Sequence, residues 1–178
     1  MTDTADGPRP SIPADDLNRK LTIAEPDSSK VRHVAVAGDV YSILVSGAET
    51  AGRYCLIDML VPDGGGPPPH RHDFEEMFTV IEGELELAFR GQTTTVRTGS
   101  TVSIPANAPL AFKNRSGGPV QMLCFAAPAG LDEFFLEVGD PLPSRASPPP
   151  RLDKAQMEER TKKIKALAPN YRTELLIP

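Results

Sequence analysis

Residues 62–87 read "PDGGGPPPHRHDFEEMFTVIEGELEL", in which two histidines follow a run of glycines and prolines. Alternate side chains of a β-strand share one face, so His70 and His72 are expected to point the same way and Arg71 to point away. Glu76 opens the next run, and its carboxylate joins the two imidazoles if the chain bends between them. Two imidazoles and a carboxylate are typical ligands of zinc, iron, nickel, manganese or copper, rather than of calcium or magnesium. The stretch therefore predicts a transition-metal site.

A polar surface loop is the competing interpretation of the same stretch. Two histidines separated by one residue are a weak signal on their own, and Asp73 and Glu75 are then expected to pair with Arg71 in solvent. These residues alone leave both interpretations open.

The bulk composition restricts the classes of function. The chain has 178 residues and a formal charge of −5, which suits one domain with short appendages. No basic stripe is present, so no nucleic-acid partner is expected. The start, "MTDTADGPRPSIPADD", does not have the order of a signal peptide, and no apolar run is long enough for a bilayer, so we expect a cytoplasmic protein without a membrane partner. Cys55 and Cys124 lie in apolar runs and are expected to be small core residues in a reducing compartment.

Short β-like runs fill the chain from about residue 31 to residue 127. The run "IEGELELAF" alternates strictly, with Leu85 and Leu87 on one face and Glu84 and Glu86 on the other, which is typical of a half-buried antiparallel strand. Gly83 is expected to form a hairpin turn, and "RGQTT" the next one. Many short strands at regular spacing predict an all-β sandwich or a closed barrel.

The sequence after residue 128 predicts helices. "LDEFFLEVG" has apolar residues at helical spacing and Gly139 as a stop, "DPLPSRASPPPR" predicts an extended linker, and "LDKAQMEERTKKIKALA" predicts a second helix that ends before Pro169. The apolar face of the second helix is thin. We leave open whether it packs on the domain, packs on a second subunit or closes the barrel mouth. The predicted organisation is an N-terminal extension (1–30), a β-barrel (31–128) and a C-terminal helical extension (129–178).

One set of spacings resembles the first conserved motif of the cupin superfamily without a gap. It comprises Gly64, His70, His72, Glu76 and Gly83, separated by five, one, three and six residues. The resemblance implies an antiparallel jelly-roll barrel, also called a double-stranded β-helix, with the two histidines and the glutamate as metal ligands inside it. The implied cofactor is a divalent transition metal (Fe, Ni, Zn, Mn or Cu).

The stretch "GSTVSIPANAPLAFKN" (99–114) resembles the second cupin motif. Asn107 stands where the family usually has glycine, a change that is tolerable because Asn also adopts left-handed backbone angles. Leu110 occupies the place of a third histidine ligand. The chain's remaining histidine, His33, has no spacing that makes it a replacement.

Two stretches resemble, in their overall sequence pattern, small cupins like bacterial quercetin 2,3-dioxygenase. They are residues 62–87 and "FAAPAGLDEFFLEVG" (125–139). This resemblance implies a homodimeric, metal-dependent dioxygenase that acts on a small hydroxylated aromatic or enolic compound, with Glu76 as a catalytic residue that also moves a proton. Leu110 keeps two alternatives open: a non-oxidative isomerase or cyclase, and a non-catalytic small-molecule-binding cupin. In the latter the ligands form a polar cluster that Gln121 or Asp58 completes.

Strand alternation also predicts the substrate pocket. If Glu76 points inward, Phe78 and Val80 do so as well, and Leu110 adds apolar surface in place of a ligand. An apolar lumen around one polar centre suits a hydrophobic substrate with one oxygen-bearing group. Plain core packing is the alternative role of each of these three apolar side chains.

Overall fold

Two antiparallel sheets form the framework of the structure. The structure is a computed structural model that describes residues 11–177, so residues 1–10 of the predicted N-terminal extension and residue 178 lie outside the described residues. The strands are β1 (Arg32–Val36), β2 (Asp39–Val45), β3 (Cys55–Val61), β4 (His70–His72), β5 (Glu75–Glu82), β6 (Glu84–Phe89), β7 (Gln92–Arg97), β8 (Thr101–Ile104), β9 (Leu110–Lys113), β10 (Val120–Ala127), β11 (Asp140–Leu142) and β12 (Thr173–Leu175).

The strand order within the two sheets is that of a jelly roll. The larger sheet has the order β11-β1-β2-β3-β10-β5-β8, and the smaller has the order β12-β4-β9-β6-β7. All pairs of neighbouring strands are antiparallel. The predicted all-β jelly-roll fold with two added helices is therefore confirmed.

Period-two burial explains how these strands form a common core. Along β5, Glu76, Phe78 and Val80 are buried while the residues between them are more exposed. β10 alternates in the same way and buries Met122 and Cys124. The expectation that Phe78 and Val80 share the inner face with Glu76 is confirmed.

The two predicted turns had different outcomes. Arg90 and Gly91 link β6 to β7 in a tight hairpin, and both have positive φ angles (48° and 82°), as hairpin turns of this length require. The hairpin predicted at Gly83 is wrong, because β5 and β6 belong to different sheets. Gly83 instead turns the chain from one sheet to the other. Its φ of 86° and the Pro119 carbonyl oxygen 3.0 Å from the position of a Cβ explain why glycine occupies this site.

Both predicted helices are present. Helix α1 spans Leu131–Val138 and packs on the larger sheet, where the Phe135 ring stacks on Tyr41 with centroids 4.3 Å apart. Helix α2 spans Lys154–Leu167 and begins with a capping box between Asp153 and Gln156. A 3₁₀ helix follows over Ala168–Tyr171, with Pro169 in its first turn.

Helix α2 has no fully buried residue, but Ile164 and Leu167 pack partly buried against the core, and polar contacts add to this attachment. Arg160 donates to the Val138 carbonyl at 2.7 Å and pairs with Asp140 at 2.5 Å, and Lys163 donates to the Glu137 carbonyl at 2.6 Å. The thin apolar face read from the sequence fits this attachment. The helix thus packs against α1 and the segment that follows it.

Two strands were absent from the sequence-based expectation. The predicted linker begins with β11, which pairs with β1, so its first three residues belong to the larger sheet. β12 pairs with β4 at the edge of the smaller sheet, with Thr173 opposite His72 and Leu175 opposite His70. The C-terminal segment therefore lies directly beside the two histidines.

Candidate metal centre

Two short strands bring the three predicted ligands together. His70 and His72 lie on β4, and Glu76 lies on β5 after a bend at Asp73 and Phe74. One ligand atom from each of the three residues lies within 4.8 Å of the other two, and all three side chains are buried. Two atoms bound to one ion at about 2.1 Å lie at most about 4.2 Å apart, so small side-chain rotations bring this trio into ligation distance.

The hydrogen bond of His70 defines its tautomer. Nδ1 lies 2.8 Å from the Pro68 carbonyl oxygen, which can only accept, so Nδ1 carries the hydrogen. Nε2 then presents a lone pair and is the atom free to ligate a metal.

His72 is oriented by the C-terminal strand. Its Nδ1 lies 2.9 Å from the Thr173 hydroxyl, while Nε2 lies 3.8 Å from Glu76 Oε2. The Phe74 ring stacks on the imidazole with centroids 4.5 Å apart. These contacts restrict the ring on three sides.

The Glu76 carboxylate is only half satisfied by hydrogen bonds. Cys124 Sγ donates to Oε1 at 3.4 Å, whereas Oε2 is buried and has no hydrogen-bond partner among the described residues. Such an atom is rare in a native protein and needs a specific explanation.

Burial shifts the pKa of each group toward its neutral form. Burial and, to a smaller extent, the neighbouring His70 lower the pKa of His72 to about 3. Burial also lowers the pKa of His70, against the effect of its Pro68 hydrogen bond, and raises the pKa of Glu76 to about 7. At neutral pH His72 is therefore a neutral imidazole, and its 3.8 Å contact with Glu76 is not a salt bridge.

These features fit a bound cation. Neutral imidazole is the form that ligates metals, and a cation at the centre favours the ionised form of a buried carboxylate. The His70 Nε2 lone pair, the His72 Nε2 atom and one Glu76 oxygen that has no hydrogen-bond partner among the described residues converge. A divalent transition metal satisfies all three, with the ligand types that suit it.

The neighbouring polar groups make other contacts. Gln121 and Asp58, the expected partners of a metal-free polar cluster, bind each other at 2.9 Å, and Arg145 lies 3.2 Å from Asp58. Arg71 pairs with Glu174 at 2.5 Å rather than with Asp73 or Glu75. The polar surface-loop interpretation is wrong, because both histidines are about 6% exposed.

A mainly apolar cavity of about 150 Å³ opens beside the three ligands. Aromatic side chains from the barrel and from α1 form much of its wall, together with Asp39 and residues of the C-terminal segment. The aromatic members are Tyr41, Phe78, Phe112, Phe134 and Phe135, and the C-terminal members are Thr161, Ile164, Thr173, Leu175 and Ile177. The C-terminal segment thus closes one side of the cavity.

The predicted pocket residues occupy different places. Phe78 lines the cavity, whereas Val80 and Leu110 are buried in the hydrophobic core outside its lining. Leu110 lies on β9 directly opposite His70 on β4. Asn107 adopts the left-handed conformation expected of it (φ 67°), and its N–H donates to the His72 carbonyl at 2.6 Å.

Sequence reasoning missed two side chains that contact the ligands. Cys124 is a buried core residue as expected, but its thiol also donates to Glu76. The alternating run "VQMLCFAA" carried a signal for this, since it places Cys124 on the inner face. Thr173 gave no comparable signal, because its partner His72 lies 101 residues earlier.

Comparisons with known proteins agree with the fold. Residues 57–126 match the family model described as "Cupin domain". A predicted oxalate decarboxylase from Thermotoga maritima superposes with a TM-score of 0.55 and 14% identity, over 60% of this chain and 99% of that one. The polyketide cyclase RemF from Streptomyces resistomycificus superposes with a TM-score of 0.54 and 21% identity, over 80% of this chain and 94% of that one.

A curated relative also matches part of the chain. Endoribonuclease YbeY from Myxococcus xanthus is 28% identical over 76 residues, which are 43% of this chain and 26% of that protein. This chain therefore spans about a quarter of the relative's length.

The finer similarity to quercetin 2,3-dioxygenase-like proteins stays a prediction.

No helix within residues 11–177 is both long and apolar enough to cross a membrane. Residues 57–126, which match the cupin domain model, lie within the two-sheet jelly roll.

Proposed function

We propose that this chain is a metal-dependent, dioxygenase-like cupin enzyme that acts on a small hydroxylated aromatic or enolic compound. The observation that carries the proposal is the convergence of His70, His72 and Glu76 within 4.8 Å at the wall of an apolar cavity. An apolar cavity with one polar centre is the usual form of a small-molecule site.

In this proposal His70, His72 and Glu76 hold the metal. A bound iron, nickel, zinc, manganese or copper ion supplies a Lewis acid for a substrate oxygen and, where it is redox-active, a route for reaction with dioxygen. Leu110 supplies no ligand, so the protein leaves coordination positions open, as metal catalysis requires.

The chain's own side chains supply orientation and proton transfer. The aromatic wall formed by Tyr41, Phe78 and Phe134 holds an apolar ring and excludes water. We assign to Glu76 the uptake of the substrate's hydroxyl proton, because its buried carboxyl lines the cavity beside both histidines. The Cys124 thiol, which donates a hydrogen bond to Oε1, orients the carboxylate during that transfer.

The cavity volume narrows the substrate class. Ligand pockets are commonly about 300–1,000 Å³, whereas a cavity of about 150 Å³ is known to hold a benzene-sized molecule. The cavity here is about 150 Å³. We therefore propose a single-ring phenolic compound or an enol of similar size, and a larger polyphenol enters only if the C-terminal segment moves.

Oxygen consumption tests this function. The full chain, reconstituted separately with each of the five metals, is assayed with single-ring catechols and small 1,3-diketones. Dioxygen uptake in the wild type that is lost in His70→Ala and His72→Ala supports the proposal.

Two other outcomes would contradict the proposed dioxygenase activity. Product formation under strict anaerobiosis identifies a non-oxidative isomerase or cyclase. Ligand-induced thermal stabilisation with no turnover identifies a binding protein.

A further inference from the structure

We propose that Thr173 is a positioning residue of the metal centre, one that fixes the tautomer of His72 through its hydroxyl. The inference rests on the proposed metal site and adds to it a residue from the last strand of the chain. Thr173 does not touch the metal position itself. It acts through the imidazole.

The hydroxyl has one hydrogen and two partners. Thr173 Oγ1 donates to the Tyr171 carbonyl oxygen at 3.1 Å and lies 2.9 Å from His72 Nδ1. Since the carbonyl can only accept, the hydroxyl hydrogen goes to Tyr171, and the oxygen lone pair then accepts from Nδ1–H. With this assignment the Tyr171 carbonyl, the Thr173 hydroxyl and the His72 Nδ1–H each have a hydrogen-bond partner.

The tautomer of His72 decides which of its ring nitrogens can bind a metal. With the hydrogen on Nδ1, Nε2 presents a lone pair, and this is the atom 3.8 Å from Glu76 Oε2. His70 reaches the same state through the Pro68 carbonyl. Histidine ligands are commonly oriented in this way by a partner on the other ring nitrogen, and loss of that partner typically reduces metal affinity about 10–100-fold.

The backbone holds Thr173 in register with His72. The two residues are partners in the β12–β4 ladder, and the flanking bonds run from Asp73 N to the Arg172 carbonyl (2.9 Å) and from Leu176 N to the Pro69 carbonyl (2.8 Å). Thr173 is 4% exposed, so water does not compete for its hydroxyl.

Two ion pairs flank this ladder on its solvent side. Arg71 pairs with Glu174 at 2.5 Å and Arg172 pairs with Asp73 at 3.1 Å. All four side chains are about half exposed, so these pairs add little stability, and the backbone ladder is the main restraint on Thr173. The C-terminal strand thus couples directly to the ligand strand.

The test uses three variants of the full-length, metal-free protein, titrated with Zn²⁺ and Co²⁺. Thr173→Val keeps the shape of the side chain and removes the hydroxyl, and Thr173→Ser keeps the hydroxyl. Thr50→Val is the matched control, because Thr50 is also buried (2% exposed) and, within residues 11–177, its hydroxyl hydrogen-bonds only to the backbone of Gly47 and Tyr54. A second readout is the ¹⁵N spectrum of the imidazoles at pH 7, which distinguishes the Nδ1–H from the Nε2–H tautomer without any metal.

We expect Thr173→Val to weaken metal binding about 10–100-fold, and Thr173→Ser and Thr50→Val to bind as the wild type does. We also expect the Nδ1–H tautomer of His72 in the wild type and a mixed population in Thr173→Val. Wild-type affinity in Thr173→Val, or an Nε2–H tautomer in the wild type, overturns the role of Thr173 and leaves the metal site intact. Absence of metal binding in the wild type overturns the proposed function instead.

Discussion

His70 and Leu110 lie directly opposite each other on the neighbouring antiparallel strands β4 and β9. Side chains in such pairs have Cβ atoms about 4.5–5.5 Å apart. In the resemblance to the second cupin motif, Leu110 stands in the place of a third histidine. The motif spacing and the strand register therefore agree that a side chain at 110 lies next to His70.

Leu110→His is predicted to tighten metal binding by about tenfold or more, equivalent to about 1.4 kcal/mol, because it adds a third imidazole beside His70. Without metal the same change is predicted to lower the free energy of unfolding by about 1–3 kcal/mol, since Leu110 is 2% exposed and the new polar group lacks a partner. Calorimetric titration and denaturant unfolding measure the two effects.

Leu110→Met is the matched control for that variant. It keeps an apolar side chain of similar volume, so both the metal affinity and the stability are expected to change little. Equal metal affinity in all three proteins would show that position 110 is out of reach of the site.

The three histidines of the chain are predicted to respond differently to substitution. His70→Ala and His72→Ala each remove one ligand and are expected to abolish stoichiometric metal binding. His33→Gln is the comparison, because His33 is also buried but bonds Ser42 at 2.8 Å and lies on β1, away from the ligand strands. Metal content per folded chain measures the difference, and a loss of metal in the His33 variant contradicts the assignment.

Ile164→Ala is predicted to enlarge the range of ligands that bind. Ile164 lies on α2 and lines the cavity, so its truncation makes room for a second ring. We expect 2-naphthol to raise the melting temperature of the metal-loaded variant, while the wild type responds to phenol only.

Met157→Ala is the control on the same helix, since Met157 is 52% exposed and lies outside the cavity lining. It should behave as the wild type. An unchanged ligand preference in Ile164→Ala argues that α2 does not limit the cavity in solution.

Asp39 is predicted to contribute a fall in the stability of the metal-free protein as the pH rises from about 4 to about 7. Burial raises the pKa of Asp39 from 3.8 to about 7, against the effect of hydrogen bonds from the Tyr41 hydroxyl and the Gly66 N–H. In this window the folded carboxyl keeps a proton that the unfolded chain has lost, so the free energy of unfolding decreases by up to about 1.4 kcal/mol per pH unit and levels off above pH 7.

Asp39→Asn isolates this contribution. The amide oxygen still accepts from Tyr41 and Gly66 but cannot ionise, so the stability of the wild type relative to the variant should fall between about pH 4 and pH 7. Glu76, whose pKa burial raises to about 7, changes stability in the same direction, whereas His70 and His72, whose pKa values burial lowers, change it in the opposite direction. The difference between wild type and variant removes the shares of all three. Parallel curves from denaturant unfolding between pH 4.5 and 8 would contradict the role of Asp39.

Local patterns were sufficient for most of the fold. The alternation in "IEGELELAF" identifies the inner face of β6, and the spacing from Gly64 to Gly83 places both histidines and Glu76 within seven residues of one another. These features depend on neighbours in the chain, so the sequence expresses them directly.

The remaining features depend on residues far apart in the chain. Gly83 was expected to close a hairpin, yet β5 and β6 lie in separate sheets, and no pattern of neighbouring residues encodes that choice. β12 is three residues long, and its pairing with β4 spans about a hundred positions. The contact of Thr173 with His72 depends on this pairing and therefore could not be predicted from the sequence.

The central claim is that His70, His72 and Glu76 hold a transition metal. Elemental analysis of the full chain, purified without a histidine tag, tests it most directly. We predict one equivalent of iron, nickel, zinc, copper or manganese per folded chain, and none in His72→Ala. A wild-type protein that contains no metal after purification, and takes up none on reconstitution, would contradict the claim.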